Sequence, residues 1–293
     1  MQRIPTVTKS LIYTVLILLG LTMIVPFVWM LSTSLKEAGE VFTPQLQIIP
    51  QHPLWSNYLD SWNAIPFGRM LFNSTLVAVS ITAGQLITSS LAAYAFARLR
   101  FPGRDILFFS YLATMMVPGV VTMIPTFCLL TIMGEHTPYE FHIGKMWMGN
   151  VVGGDSYFAL IAPGLFTAYG TFLLRQFFLT IPRDLDEAAM IDGCSKFAIY
   201  KHIILPLSGP ALATLTIFTF IGSWRDFMWP LIMSSSPDMQ TLPVGLATFK
   251  STFGINYNLQ MAASIIVMLP MLVVFISNQR FFTEGIKMTG VKG

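Results

Sequence analysis

Side chains able to do chemistry are sparse in this chain and concentrate in two places. The first is a polar interruption, Trp224-Arg225-Asp226, set in an otherwise apolar stretch, with Trp229 just beyond it and Gln85 in an earlier apolar stretch. Guanidinium matches a carboxylate with paired N–H groups. Arg225 is therefore a candidate for meeting an anionic solute, and a local pair with Asp226 or a neighbouring helix is the other reading. Gln85, Ser89 and Ser90 suit either the route of a polar solute or a helix–helix contact.

The second place is Ile181–Pro206. Pro182 ends an incoming helix, and Asp184 is placed to cap a new one, with Glu187 three residues on as in a capping box. Ala188 and Ala189 remove bulk, so that another protein's backbone can approach. Asp192 leads into Gly193, which permits the left-handed turn that stops the short helix. Ser195 caps a second helix in which Phe197, Tyr200 and Ile204 share a face. Pro206, after Ile203 and Leu205, ends it. Two short elements that cannot bury their own faces point to partner docking; an amphipathic connector on the membrane is the alternative.

Catalysis finds no support. There is no G-x-x-x-x-G-K-[ST] loop, no H-E-x-x-H and no G-x-S-x-G, and no nucleophile–base pair. Cys128 and Cys194 lack metal-ligand spacing. The chain is expected to hold no catalytic residue, metal or cofactor. A net charge of +3 spread along 293 residues offers nothing to nucleic acid.

The elements that position these residues follow from composition. The chain is 54% hydrophobic and 11% charged, against about 25% charged in soluble domains. Its solvent is lipid. Six runs reach the ~20 apolar residues that a helix needs to cross a bilayer: Leu11–Leu31, Phe72–Phe96, Ile106–Met133, Phe158–Phe178, Gly209–Met233 and Leu259–Ser277. The expectation is an all-α integral membrane protein, one transmembrane domain over 1–293 with a cytoplasmic loop 181–206 and a tail 284–293. The first run exceeds a signal-peptide core and lacks an A-x-A site, so it reads as a retained helix. With both termini inside, 12 Lys and Arg face the cytoplasm against Lys36, Arg69, Lys145 and Lys250 outside, as the positive-inside rule requires. The outer segments Ser32–Leu71 and Gly134–Tyr157 are long enough to hold interfacial helices or a folded loop.

Glu187-Ala188-Ala189, three residues, Gly193, nine residues, then Ile203-x-Leu205-Pro206 resembles the EAA loop of ABC importer permeases at every signature position. Ala92–Arg104, Leu173–Phe178, Trp229-Pro-Leu231, Thr241–Leu246 and the ending Gly290-Val291-Lys292-Gly293 resemble the carbohydrate branch, and within it the second permease of the maltose importer. The resemblance implies the type I permease fold in the bacterial inner membrane. It implies a second permease subunit, two ATPase subunits that bind ATP and Mg, and an external solute-binding protein. Glu187 to Gly193 would form the coupling helix, Gly290–Gly293 would reach between the ATPases, and Pro237, Asp238, Met239 and Gln240 would meet the binding protein. The implied substrate is an oligosaccharide. Where relatives commonly carry Asn, this chain has Arg225, which leans towards an acidic sugar such as the polyuronate alginate; neutral oligosaccharides or glycerol-phosphate compounds are the alternatives.

Overall fold

The structure, a computed structural model, describes residues 6–43, 47–136, 140–143, 146–252 and 256–289. Among them, three helices are each long and apolar enough to cross a bilayer, and three bent pairs bring the count to six if each pair is one span. By contact the chain forms two compact units, residues 1–67 with 245–269, and 68–244 with 270–293.

In the first unit, α1 (Thr6–Ser34) buries none of its apolar window against the chain. Its last carbonyls lack intrahelical partners, and α2 (Ser56–Ala64) supplies one. Asn57 Nδ2 donates to the carbonyls of Ser34 and Lys36, both at 2.9 Å. The opposite face of α2 exposes Leu59 and Trp62, beside Trp55.

The second unit carries the functional elements. α3 (Phe67–Arg98) runs 32 residues without proline. α4 (Arg104–Ala113) and α5 (Gly119–Glu135) belong to one bent pair with an angle of 97°. The stretch expected as a span over Ile106–Met133 is thus sharply bent next to Pro118. Val117 precedes Pro118, whose ring disfavours helical backbone there, and Val117 is extended at φ −87°, ψ 117°. Within Gly134–Tyr157, β1 (Glu140–Ile143) pairs antiparallel with β2 (Met146–Asn150), the one sheet in an otherwise all-α fold among the described residues.

α6 (Tyr157–Ile161), continued by a 3-10 turn Ala162–Gly164, and α7 (Ala168–Thr180) follow, bent by 41° at the break between Gly164 and Ala168. Next come α8 (Asp184–Ile191) and α9 (Lys196–Ile199), a π-helical turn Tyr200–Ile204, and α10 (Leu205–Leu207). Pro206 does not end this helix as expected. It is accommodated in α10, and the 77° break to α11 (Gly209–Trp224) falls at Ser208. α11 spans only about 24 Å at 1.5 Å per residue, and the expected run to Met233 is interrupted before α12 (Met228–Met233). α13 (Leu242–Thr252) and α14 (Tyr257–Thr289) complete the chain and run across the unit boundaries.

The hairpin is seated by two glycines. Gly153 has φ +92°, and a Cβ there would lie 2.8 Å from Gly134 Cα. Gly153→Ala should therefore cost about 2–3 kcal/mol, from left-handed strain plus a backbone clash. A detergent-solubilised melt should fall by several degrees, whereas Gly39→Ala, with open space around it, should leave it unchanged.

Candidate functional site

The segment 181–206 is built on Arg98, in the last turn of α3. Its side chain is 3% exposed. Nη2 donates to the carbonyls of Phe178 at 2.6 Å and Ile181 at 2.7 Å, where α7 ends; Phe178 O also accepts from Ile181 N at 3.3 Å. Nη1 lies 3.1 Å from Asp186 Oδ2 in the first turn of α8, where a helix N-terminus favours negative charge. One guanidinium thus caps α7 and pins α8. Tyr94, one turn earlier, donates to Lys196 O at 2.8 Å, and Ser90 shares a 2.7 Å hydrogen bond with the buried Tyr200. Beneath these bonds lies an apolar core that includes Ala93, Ala97, Leu174, Phe178, Ile199 and Leu215.

This placement divides the predicted docking residues. Glu187 and Ala188 are exposed, and Ile191 is 87% exposed. Ala189, expected to share that open face, is buried in the chain's own core. Ile203 and Leu205 pack against the same core while Pro206 is exposed. Asp184 does not cap α8: it is the first helical residue, and Arg183 stands at the cap without a side-chain bond. Asp192 closes α8, and Gly193 turns left-handed at φ +82°. Cys194 N then donates back to Ala189 O at 2.9 Å, completing the glycine stop. Ser195 Oγ caps α9 by accepting from Ala198 N. Phe197, expected to share a face with Tyr200 and Ile204, is exposed, whereas those two are buried. Gly290, Val291, Lys292 and Gly293 lie outside the described residues.

At the opposite end of α3, Asn73 is fully buried. Its Nδ2 donates to the carbonyls of Asp238 (2.8 Å) and Gln240 (2.9 Å), and its Oδ1 accepts from the Tyr157 hydroxyl at 2.6 Å. Arg69 Nε also donates to Asp238 O. Met239 is 0% exposed, while the side chains of Pro237 and Asp238 face out. The predicted loop is thus a braced turn.

Between these ends lies a groove of about 410 Å³ lined by Gln85, Tyr169, Phe218, Thr219, Ser223 and Asp226, with Ile81, Gly164 and Gly222. Gln85 lines it but is already engaged: Nε2 donates to Gly164 O (2.7 Å) and Oε1 accepts from Thr219 (2.8 Å). Asp226 Oδ1 accepts from Trp229 N at 3.4 Å, at the start of α12. Arg225 is exposed, and the described ion pairs do not include it, so the local pair with Asp226 is not formed. Trp224 is 1% exposed and stacks on Phe220, away from the groove lining. Trp229 Nε1 donates to Ala159 O, tying α12 to α6.

Sequence reasoning passed over Arg98 and Asn73. Arg98 counted only as one more cytoplasmic cation, because its three acceptors lie 80 or more residues away. Asn73 carried a visible signal, an amide just inside an apolar run, where an unsatisfied polar group is costly.

Residues 85–287 match the family described as binding-protein-dependent transport system inner membrane component, and the chain belongs to that family. It is a membrane transport subunit and not an enzyme. Similar relatives include the sn-glycerol-3-phosphate transport system permease protein UgpE of Yersinia enterocolitica, 34% identical over 93% of this chain and 94% of its own. The arabinooligosaccharides transport system permease protein AraQ of Bacillus subtilis is 34% identical over 94% and 93%. A chain of a bacterial ABC transporter involved in importing the acidic polysaccharide alginate superposes with a TM-score of 0.79 at 20% identity, covering 96% of this chain and all of that one. The fold is that of a type I ABC importer permease.

Asn73→Ala should leave two carbonyls and a tyrosine hydroxyl without their partner, at about 1–3 kcal/mol of local stability. Amide hydrogen exchange over residues 236–242 should quicken by roughly 5- to 100-fold, with the segment around Arg98 unaffected.

Proposed function

We propose that this chain is one of two permease subunits of an ATP-driven, binding-protein-dependent importer of oligosaccharides, and that α8 is the point at which a separate ATPase docks. The observation that carries this is the two-sidedness of α8. One side is bonded into the membrane helices through Arg98, and the other presents Glu187, Ala188 and Ile191 to the cytoplasm. Three acids in its first turn, Asp184, Asp186 and Glu187, argue against a connector lying on an anionic leaflet, which attracts basic segments. Apolar tips beside carboxylates suit a protein cleft instead. Glu187 meets a basic group there, a charge-assisted contact worth about 1.5–3 kcal/mol, and ATPase closure rocks the attached helices between inward- and outward-open states. The second permease completes the pathway, both termini lie in the cytoplasm, and the tail Gly290–Gly293 reaches between the ATPases. On the outer side, Pro237 and Asp238 meet the binding protein.

The groove supports a sugar as cargo. Thr219, Ser223 and Asp226 offer polar atoms, while Tyr169 and Phe218 offer ring faces. Arg225, exposed beside it, favours an acidic oligosaccharide of the alginate kind. The same cation would serve a glycerol phosphate, the solute in the name of one relative. Neutral oligosaccharides gain nothing from it.

Two substitutions test the reading in proteoliposomes holding the whole complex. Ala188→Leu adds bulk on the open face and should abolish ATP-driven uptake and ATPase association while leaving the permease folded. Ala189→Leu, inside the core, should instead lower the melting temperature. Equal ATPase binding by unmodified and Ala188→Leu permease would remove α8 as the dock. Arg225→Gln should reduce uptake of a uronate trisaccharide about tenfold or more and spare arabinotriose; equal loss of both would remove the electrostatic basis for an acidic cargo.

A further inference from the structure

We infer that Arg98 is the positioning residue that converts movement of α8 into movement of the membrane helices, with Asp186 as its counterpart on α8. The inference rests on the ATPase docking at α8 proposed above. α8 is eight residues long and buries a single side chain, Ala189. An alanine offers little apolar grip, so packing alone holds this helix weakly against the bundle. The covalent link through Ile181–Arg183 transmits a pull along the chain but resists neither a push nor a rotation of α8.

Arg98 supplies the missing stiffness. Its two Nη2 bonds end on the carbonyls that close α7, and its Nη1 reaches the carboxylate of Asp186, so three separate helices meet at one planar group. The planar fork holds these directions together, which a lysine ammonium on its flexible stem does not. Asp186 is 14% exposed and faces inward, unlike its neighbour Glu187. Its charge is therefore spent on the chain's own frame and not on a partner.

A residue needed only for folding would lower assembly, hydrolysis and gating together. A coupling residue changes their ratio. The test uses the complete complex with its partner permease, ATPases and binding protein. Cys128 and Cys194 are replaced by Ser, and Ser223→Cys reports on the groove through a membrane-impermeant maleimide. The readouts are ATP hydrolysis and the change in labelling at position 223 on trapping with ATP and vanadate. In Asp186→Asn and Arg98→Lys, hydrolysis should stay within about twofold of the parent complex, while the trapping-dependent change in labelling should shrink at least about fivefold, the lower end of typical coupling strengths. A full labelling change in both variants would overturn the inference. So would loss of assembly, hydrolysis and labelling in parallel, which would assign the pair a folding role alone. If the parent complex binds no ATPase, the docking proposal itself fails, and this inference falls with it.

Discussion

The end of the second unit that holds α8 depends on one buried guanidinium. A charge withdrawn from water is costly unless it is paired and hydrogen-bonded, and Arg98 is held by Asp186 and by the carbonyls of Phe178 and Ile181, with Nε left without a partner. One side chain therefore serves two places, the end of α7 and the start of α8. The tyrosine pair Tyr94 and Tyr200, with ring centroids 5.2 Å apart, extends the same connection to α9 and its π-helical turn.

A similar economy governs the other end of α3. Asn73 has one donor group and one acceptor oxygen, and both are used on main chain and on Tyr157. The turn that would face a binding protein is fixed by the buried Met239 from below and by backbone acceptors from the side. Asp155, at φ +54°, adds a further brace by accepting from Ser236 N at 2.8 Å. What this turn offers outward is thereby reduced to the side chains of Pro237 and Asp238.

Much of this architecture was legible in the residues. Apolar run length located the membrane helices, and Gly193 and Ser195 declared the stop and restart of the cytoplasmic segment. The spacing around Glu187 identified the family. Other features depend on tertiary partners that no local pattern encodes. Ala188 and Ala189 are chemically identical, and only the orientation of α8 turns one outward and buries the other. Pro118 announced a disturbance but not a 97° bend. Asp226 sits beside Arg225 in sequence, yet its carboxylate serves the start of α12. Gln85 looked available until Gly164 and Thr219 claimed both ends of its amide.

Asn73 and Arg98 stand on the same uninterrupted helix, 25 residues and about 38 Å apart, and within about 20° of the same side. The mid-helix glycine, Gly84, is closed in by Leu165, and no proline offers a hinge. A stiff rod of this kind behaves as a seesaw: tilting one end inward swings the far end outward. The contacts at Arg98 and at Asn73 therefore answer to one another through a single unbroken helix.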